Sequence, residues 1–474
     1  MTDLVDARRG APQGIITPKI TTWAGADRPV EKQRDGWTPP DPTGAVNANN
    51  IVEFINGFFS IYDKQNGIVV NRVTDVTFWG RAGVQPGNIV DPRIVFIPDA
   101  GRGGQWLAMQ LDMGHRVLIA TTSPDDPRAN PAIGNWKGAA FALEGNDFTM
   151  LGYDSNGVYV RTNVEYGEGR APEIAVILRT DALAWPPQVG PGQVRIIGPL
   201  KPEDYGINLY PVIDQSRGAT AALAIGVDTV TRQHLTYAQI SNGTIVYHDK
   251  IEVPSFFPVP FNFRVKQPNP KGLNWIIFDS SGAVAAPMGD GSNIWVAHTV
   301  SSGPNERDPA THLGVRWYRL AIDPWSRKPS LAKCGVIGGQ NYDYFNPSIL
   351  SFGKDDYTIV SLSRSGNALT PTKPVDPDCG NIGAYVALVR ETSTDFWYEL
   401  FTLRSGLAYD YIPNTVQRWG NCSTVCGDPT SPRTAWIFNQ YVTQGGLWVM
   451  NERGEGKSTS QNCDVIARID LPPA

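Results

Sequence analysis

The sequence predicts an all-β chain folded as a single β-propeller, most simply with seven four-stranded blades inside a range of six to eight. Three observations predict it. From Trp37 onward, strand-like runs rich in Val, Ile, Phe, Tyr and Trp alternate with Asn-Gly, Gly and Pro turns. Helical period is almost absent: no stretch of about 12 residues carries apolar side chains at i, i+3, i+4 spacing. The strand–turn pattern restarts roughly every 60 residues, the interval of a four-stranded unit. A parallel β-helix would show a shorter repeat, and two β-sandwiches would show a linker between halves, which this chain lacks.

In order, residues 1–35 read as a polar lead-in and residues 36–474 as the propeller. Pro39, Pro40, Asp41, Pro42 and Gly44 make a stiff turn. Val46 to Phe54, Phe58 to Asp63 and Ile68 to Val73 then read as strands, broken by Asn56-Gly57 and Asn66-Gly67. Asp91 to Asp99, Gln105 to Leu111, Arg116 to Thr122 and Trp136 to Leu143 form the next unit. Phe148 to Tyr153 and Val158 to Asn163 flank an Asn-Gly turn, with Ala175 to Arg179 and Val194 to Ile197 after them. Leu235 to Ile240 and Thr244 to Val253 flank another. Asn293 to Val300 and Val315 to Ile322 follow. Tyr357 to Ser363, Ala384 to Arg390 and Trp397 to Arg404 form a further unit. Trp436 to Tyr441, Gly445 to Asn451 and Asp464 to Ile469 end the series.

Composition narrows the function classes. The chain has 474 residues, with 41% hydrophobic and 18% charged, a globular composition large enough for one big ring. Its formal net charge is -5 and no basic run appears, which argues against nucleic acid as a partner. No apolar run reaches the roughly 18 residues of a membrane span. The opening MTDLVDARRG has no apolar core and is not a signal peptide as written. The oligomeric state is left open.

All five cysteines follow residue 333. Cys422 and Cys426 form a C-x3-C pair in a Trp/Asn/Pro-rich loop without a nearby His. That spacing disfavours zinc and suits a local disulfide, with buried thiols as the alternative. Cys334, Cys379 and Cys463 have no assigned pairing.

Three stretches carry a resemblance: PPDPTGAVNANNIVEFINGFFSIYDK, DPRIVFIPDAGRGGQWLAMQ and WGNCSTVCGDPTSPRTAWIFNQY. They resemble a group of bacterial exported proteins predicted to be β-propellers. Its motifs read Pro-Pro-Asp-x-x-Gly-Ala-Val, Asp-Pro-x-Val-x-Tyr-Asp with a following Arg-Trp, and Trp-Gly-Asp-Tyr-Ser with a later Asp-Pro. NIWVAHT at 293–299 and YFNPSILSFGKDD at 344–356 are similar to its blade motifs. The chain departs from the group at Asn421 and Cys422, where the group has Asp and Tyr. The resemblance covers most of residues 37–451. It implies a propeller and export, to an extracellular or periplasmic location, and implies no single activity.

Polar residues at strand edges are the candidates for a site, because a propeller gathers equivalent edges around its axis. They are Asp41, Asp91, Arg93, His115, Tyr153, His298, Tyr344, Arg364 and Asn421. His298, Arg93 and Tyr344 come from three different repeats and are the candidate catalytic set. Arg93 would neutralise a carboxylate while His298 and Tyr344 move protons, the requirements for β-elimination from an acidic sugar. Asp41, Asp91, His115, Tyr153, Arg364 and Asn421 are candidate substrate-binding residues. Each also has a structural reading: His298 as a core histidine, His115 as a solvated turn residue, Asp41 and Asp91 as turn formers. No cofactor is expected. Carboxylate and carbonyl oxygens near the Asp residues would suit a structural calcium ion, though no D-x-D-x-D-G loop appears. No G-x-S-x-G elbow or Ser-x-Asp-x-Gly-x-Thr-Trp box is present. The function these features suggest is an extracellular carbohydrate-active enzyme, a polysaccharide lyase or glycoside hydrolase acting on a polysaccharide in the funnel. The alternative is a non-catalytic binding, adhesion or surface-assembly propeller.

Overall fold

The computed structural model describes residues 17–27 and 40–472, apart from 146, 168, 207, 215, 217–221, 229–230, 260–262, 268–274, 278–284, 304–310, 340–341, 354–355, 367–379, 393–394, 408–418, 421–422 and 451–455. Strand β1 (Lys19–Asp27) comes first. Strands β2 (Thr43–Val46), β3 (Asn50–Ile55), β4 (Phe58–Asp63) and β5 (Val69–Thr74) form an antiparallel meander in chain order. Helix α1 (Asp75–Arg81) leads to a second meander, β6 (Ile89–Ile97), β7 (Gln105–Asp112), β8 (Arg116–Thr122) and β9 (Trp136–Ala142). A third has β10 (Asp147–Tyr153), β11 (Gly157–Tyr166), β12 (Gly169–Leu178), the short α2 (Arg179–Ala182) and β13 (Val194–Ile197). After α3 (Pro202–Tyr205) come β14 (Tyr210–Pro211), β15 (Ile213–Asp214), β16 (Ala222–Asp228), β17 (His234–Ser241) and β18 (Thr244–Glu252), and β15 leaves this sheet. A small hairpin, β19 (Arg264–Lys266) and β20 (Trp275–Ile277), precedes β21 (Met288–Gly289), β22 (Asn293–Ser301), β23 (Leu313–Ile322) and β24 (Pro329–Ile337). Strands β25 (Tyr342–Ser351), β26 (Tyr357–Gly366), β27 (Gly383–Glu391) and β28 (Phe396–Arg404) form the next sheet. Strands β29 (Thr424–Asp428), β30 (Ser431–Met450) and β31 (Gly456–Asp470) take β1 as their fourth, outermost strand.

The sheets stand around an axis as a propeller. The first strands of the meanders follow one another around the ring: β2 lies against β6 and β29, β6 against β10, β10 against β14, and β25 against β21 and β29, while β15, which follows β14 in the chain, pairs with β21. The expectation of seven separate four-stranded sheets needs correction. Among the described residues five such sheets stand apart, and the β10–β13 and β21–β24 meanders are joined through β15 into one nine-stranded sheet. The join is local: Ile213 pairs in parallel with Tyr153 on one side and with Met288 on the other.

Packing between sheets explains the sequence pattern. Every residue of β7 and of β22 is buried, because both faces of each sheet are covered by neighbours, so each strand carries an unbroken apolar stretch, Trp106 to Met109 and Ile294 to Ala297, where a one-sided sheet would alternate. Between β2–β5 and β6–β9 sits an aromatic layer in which Phe59 stacks on Phe78 at 4.2 Å and both meet Trp136 edge-on. Turns follow their residues: Asn242 and Gly243, with φ of 50° and 73°, form the two-residue connection of the β17–β18 hairpin.

Ring closure rests on β1. Trp23 stacks on Trp436 at 5.5 Å, and the Ala26 N–H donates to Glu53 Oε2 at 2.9 Å, tying β1 to the neighbouring β3. Tyr62 donates to the same oxygen at 2.5 Å. Burial holds the Glu53 carboxyl above the usual range, against the opposing pull of Tyr62 and Arg72. Gly25 fits the site because a Cβ there would lie 2.2 Å from Glu53 Oε1.

The expected Cys422–Cys426 disulfide is not present. Cys426 is a free thiol in β29, opposite Trp436, and Cys422 lies outside the described residues. Burial, then the Asp428 carboxylate, pushes the Cys426 thiol up to about 12, so it stays protonated. Cys334 is likewise not in a disulfide, and the Cys463 Sγ lies 3.2 Å from the Asp464 carbonyl.

Candidate ligand site at the channel mouth

A repeated backbone device builds one end of the axial channel. Asp41, just before β2, has a φ of 47°; Asp91 in β6 has 55°, Phe148 in β10 has 56° and Asn346 in β25 has 49°. In β6, β10 and β25 the ladder register shifts at the same place, between Val90 and Arg93, Asp147 and Met150, and Phe345 and Ser348. These bulges turn the strand starts inward to the axis. Asp and Asn tolerate the left-handed region, and the following Pro fixes the next residue. Phe148 does not: a bulky residue at positive φ is strained by roughly 1–3 kcal/mol.

Side chains lock these starts together. Asn56 Nδ2 donates to Asp41 Oδ2 at 3.3 Å, and Asn56 Oδ1 accepts from the Asp91 N–H at 2.9 Å. Asp91 Oδ2 in turn accepts the Thr149 N–H at 3.1 Å, fixing the strained segment. On the other side of the ring, Asn346 Nδ2 donates to the Gly420 carbonyl, and Ser423 Oγ donates to the Asn346 carbonyl at 3.0 Å.

The mouth encloses a cavity of about 70 Å³, lined by Thr43, Arg93, Phe148, Met150, Tyr210, Thr299, Asn346 and Ser423 among others. Arg93 is the one charged side chain among its described lining residues. Its Nη1 donates to the Pro92 carbonyl at 2.7 Å and its Nη2 lies 3.1 Å from Met150 Sδ, which Tyr210 Oη also contacts. Burial raises the Asp91 carboxyl, while the neighbouring Arg93 pulls it down. Behind the lining, the fully buried Arg161 donates to the Phe148 carbonyl at 3.0 Å, to Asn208 Oδ1 at 2.9 Å and to Asn163. Its guanidinium lies 5.3 Å from the Phe148 ring centre. Burial pulls Arg161 down to about 10, which leaves it charged at neutral pH. The volume suits a carboxylate group and is far below the roughly 300–1,000 Å³ of a site that encloses a whole ligand.

Of the expected catalytic set, only Arg93 lines this cavity. His298 lies in β22, the second strand of its meander, with Nε2 2.9 Å from Tyr318 Oη and its ring stacked on Tyr318. Phe256 packs edge-on against it at 5.0 Å. Burial, then the nearby Arg316 charge, lowers it to about 3, so it is neutral and does not titrate near neutral pH. Tyr344 is buried in the layer between β22–β23 and β25–β27, with Arg364 as its ladder partner. Their neighbours Thr299 and Asn346 reach the cavity.

The expected binding residues scatter. Asp41 and Asp91 hold the mouth as structural acceptors, and among the described residues no group of three His, Cys, Asp or Glu could hold a metal ion. Tyr153 sits at the far end of β10, lining a second stretch of the channel of about 130 Å³. His115 is in an exposed turn, its Nδ1 2.9 Å from the Glu144 carbonyl. Arg364 is sandwiched between Tyr342 and Tyr385, 4.2 and 4.1 Å from their ring centres. Asn421 lies outside the described residues. Sequence reading missed Phe148, Met150, Tyr210 and Arg161. Its available signal was the recurring x-Pro step at strand starts: Asp41-Pro42, Asp91-Pro92, Tyr210-Pro211 and Asn346-Pro347, with Phe148-Thr149 as the exception.

No family model and no curated protein matches the chain. Solved structures with a similar arrangement include the WD40 domain of SCAP from fission yeast, at 9% identity, covering 89% of this chain and 82% of that one, with a TM-score of 0.36. Extracellular domains 1–2 of Drosophila Semaphorin 1b give 7% identity, 95% and 87% coverage and a TM-score of 0.40. The BP39L lectin from Burkholderia pseudomallei gives 12% identity, 84% and 92% coverage and a TM-score of 0.41. Such scores carry no argument about function, and the propeller description rests on the strand pairing above.

Proposed function

We propose that this chain is a non-catalytic ligand-binding propeller, acting outside the cytoplasm, that takes the carboxylate of an acidic saccharide at the channel mouth. The observation that carries the reading is Phe148. Where three other strand starts use Asp or Asn in a left-handed conformation, this one spends strain to place an aromatic ring on the cavity wall beside Arg93. Arg93 supplies the charge for a carboxylate, and the ring supplies an apolar surface for the face of a sugar. His298, sealed against Tyr318, is not placed to move a proton there. In this proposal the ring counts seven blades, two of them fused in the nine-stranded sheet.

Calorimetric titration with a trimer of galacturonate or glucuronate, and with its neutral counterpart, tests the reading. The acidic trimer is expected to bind and the neutral one to bind at least about tenfold more weakly, with Arg93→Gln removing that difference. Equal affinity for both trimers, or an unchanged Arg93→Gln protein, would refute it. A second expectation separates strain from packing. Phe148→Asn should raise the denaturant midpoint by the equivalent of about 1 kcal/mol, by relieving backbone strain, while weakening the acidic trimer. A variant that loses both stability and binding would show that the ring serves packing alone.

One observation favours a second reading. Tyr210 reaches the same Met150 sulfur as Arg93, so an Arg–Tyr pair stands at the mouth. In a lyase, Arg93 would neutralise the uronate and Tyr210 would take over the proton transfer expected of His298.

A further inference from the structure

We propose that the opposite face of the ring carries a second site, independent of the channel mouth, that takes a neutral oligosaccharide. The strands beginning at the mouth run to hairpin turns at the other end, and three of these turns border a groove of about 680 Å³. They are the turn after β6, the Ser155–Gly157 turn after β10 and the Ser241–Gly243 turn after β17. This volume falls in the range of sites that enclose a small ligand.

Its chemistry is neutral and two-sided. Ser155, Asn156, Thr180, Ser241 and Asn242 bring hydroxyl and amide groups, and Leu178, 59% exposed, brings an apolar patch. Among the described lining residues the one charged side chain, Arg179, is held by Asp99 and by the Asp154 carbonyl at 3.0 Å. An ionic ligand therefore finds no strong counter-charge, whereas a sugar matches hydroxyls to amides and its C–H face to Leu178. The wall is pre-organised: Asp154 Oδ1 accepts the Asn156 and Gly157 N–H groups at 2.7 and 2.9 Å and the Tyr159 hydroxyl at 3.0 Å. Preorganisation lowers the cost of binding.

A separate observation extends the site. Trp325, in the turn between β23 and β24, is 92% exposed, which is unusual for the largest apolar side chain. Its turn is rigid: Asp323 Oδ1 accepts the Trp325 and Ser326 N–H groups at 3.1 and 2.6 Å and the Ser326 hydroxyl at 2.8 Å. Gln239 Nε2 donates to the Ser326 carbonyl at 2.9 Å, tying this turn to β17, whose end borders the groove. The turn that carries the indole thus stands on the same face, one sheet beyond the groove. A chain of sugars with one ring in the groove would carry a later ring onto Trp325, since exposed indoles offer flat stacking surfaces at low entropic cost.

Binding of the full chain to an array of neutral oligosaccharides of mannose, xylose and N-acetylglucosamine, none of them the neutral counterpart used at the channel mouth, tests the proposal, followed by titration of the tightest one monitored by tryptophan fluorescence. The wild type is expected to bind at least one class, with Trp325→Ala weakening it about tenfold and Thr180→Trp, which fills the groove, abolishing it. Arg93→Gln is expected to leave it unchanged. Both altered residues are exposed, and matching melting curves confirm that the variants fold. No binding to any neutral class, binding unaffected by both variants, or binding lost with Arg93→Gln would overturn the proposal. Capture of peptides in place of glycans would overturn it as well.

Discussion

Deleting residues 1–27 is expected to abolish the cooperative fold or to lower the melting temperature by about 10 °C or more. The deletion removes β1, the outermost strand of the sheet that closes the ring. It unpairs β31 from Lys19↔Asp470 to Ala24↔Val465, uncovers Trp436 and strips Glu53 of the Ala26 N–H. Glu53 would then be a buried carboxyl with fewer donors, and a bare β31 edge invites pairing with other chains. Thermal scans of the full and shortened chains, with light scattering for aggregation, give the comparison. A synthetic peptide of residues 17–27 added in trans should recover part of the loss. An unchanged melting temperature would show that the first and last segments do not close the ring.

Acid should expose His298. Its folded-state value is lowered from 6.5 to about 3, so the unfolded chain takes up a proton that the folded chain refuses. The sign follows directly: this group's contribution is intact above pH 6.5 and is lost as pH falls toward 3. Between pH 7 and pH 4 the loss is on the order of 3 kcal/mol. Buried carboxyls such as Glu53, Asp75 and Asp154, all raised by burial, work in the opposite direction and gain stability on acidification. The His298 effect is therefore read by difference, from urea unfolding of wild type and His298→Gln at both pH values. The variant should lose less on acidification than the wild type. Equal losses would mean that His298 is accessible to protons in the folded state, and would return it to the list of acid–base candidates.

The architecture was legible because turn chemistry is local. Asn56-Gly57 and Asn242-Gly243 mark hairpins in the sequence and form them in the structure, and the strands around them lie within a few residues of their expected bounds. The fusion of two meanders through Ile213 was not legible, since a two-residue parallel pairing leaves no period to read. The site was half legible. Arg93 follows an Asp-Pro step, which marked the strand start and placed its side chain at the axis. His298 misled because an apolar run ending in His-Thr looks the same whether it is a first strand facing the channel or a second strand between sheets. Phe148 and Arg161 were overlooked because their roles come from a backbone conformation and from burial, which residue type does not encode. The disulfide expectation took spacing as sufficient, whereas Cys426 sits in β29 with its thiol turned into packed surroundings.

The most direct test of the binding account is a time course of ultraviolet absorbance for unsaturated sugar ends, with an acidic trimer at saturating concentration and the protein at known occupancy. The account predicts stoichiometric binding that depends on Arg93 and no growth of absorbance over hours. Steady growth that Tyr210→Phe abolishes would contradict it and make the channel mouth a lyase site.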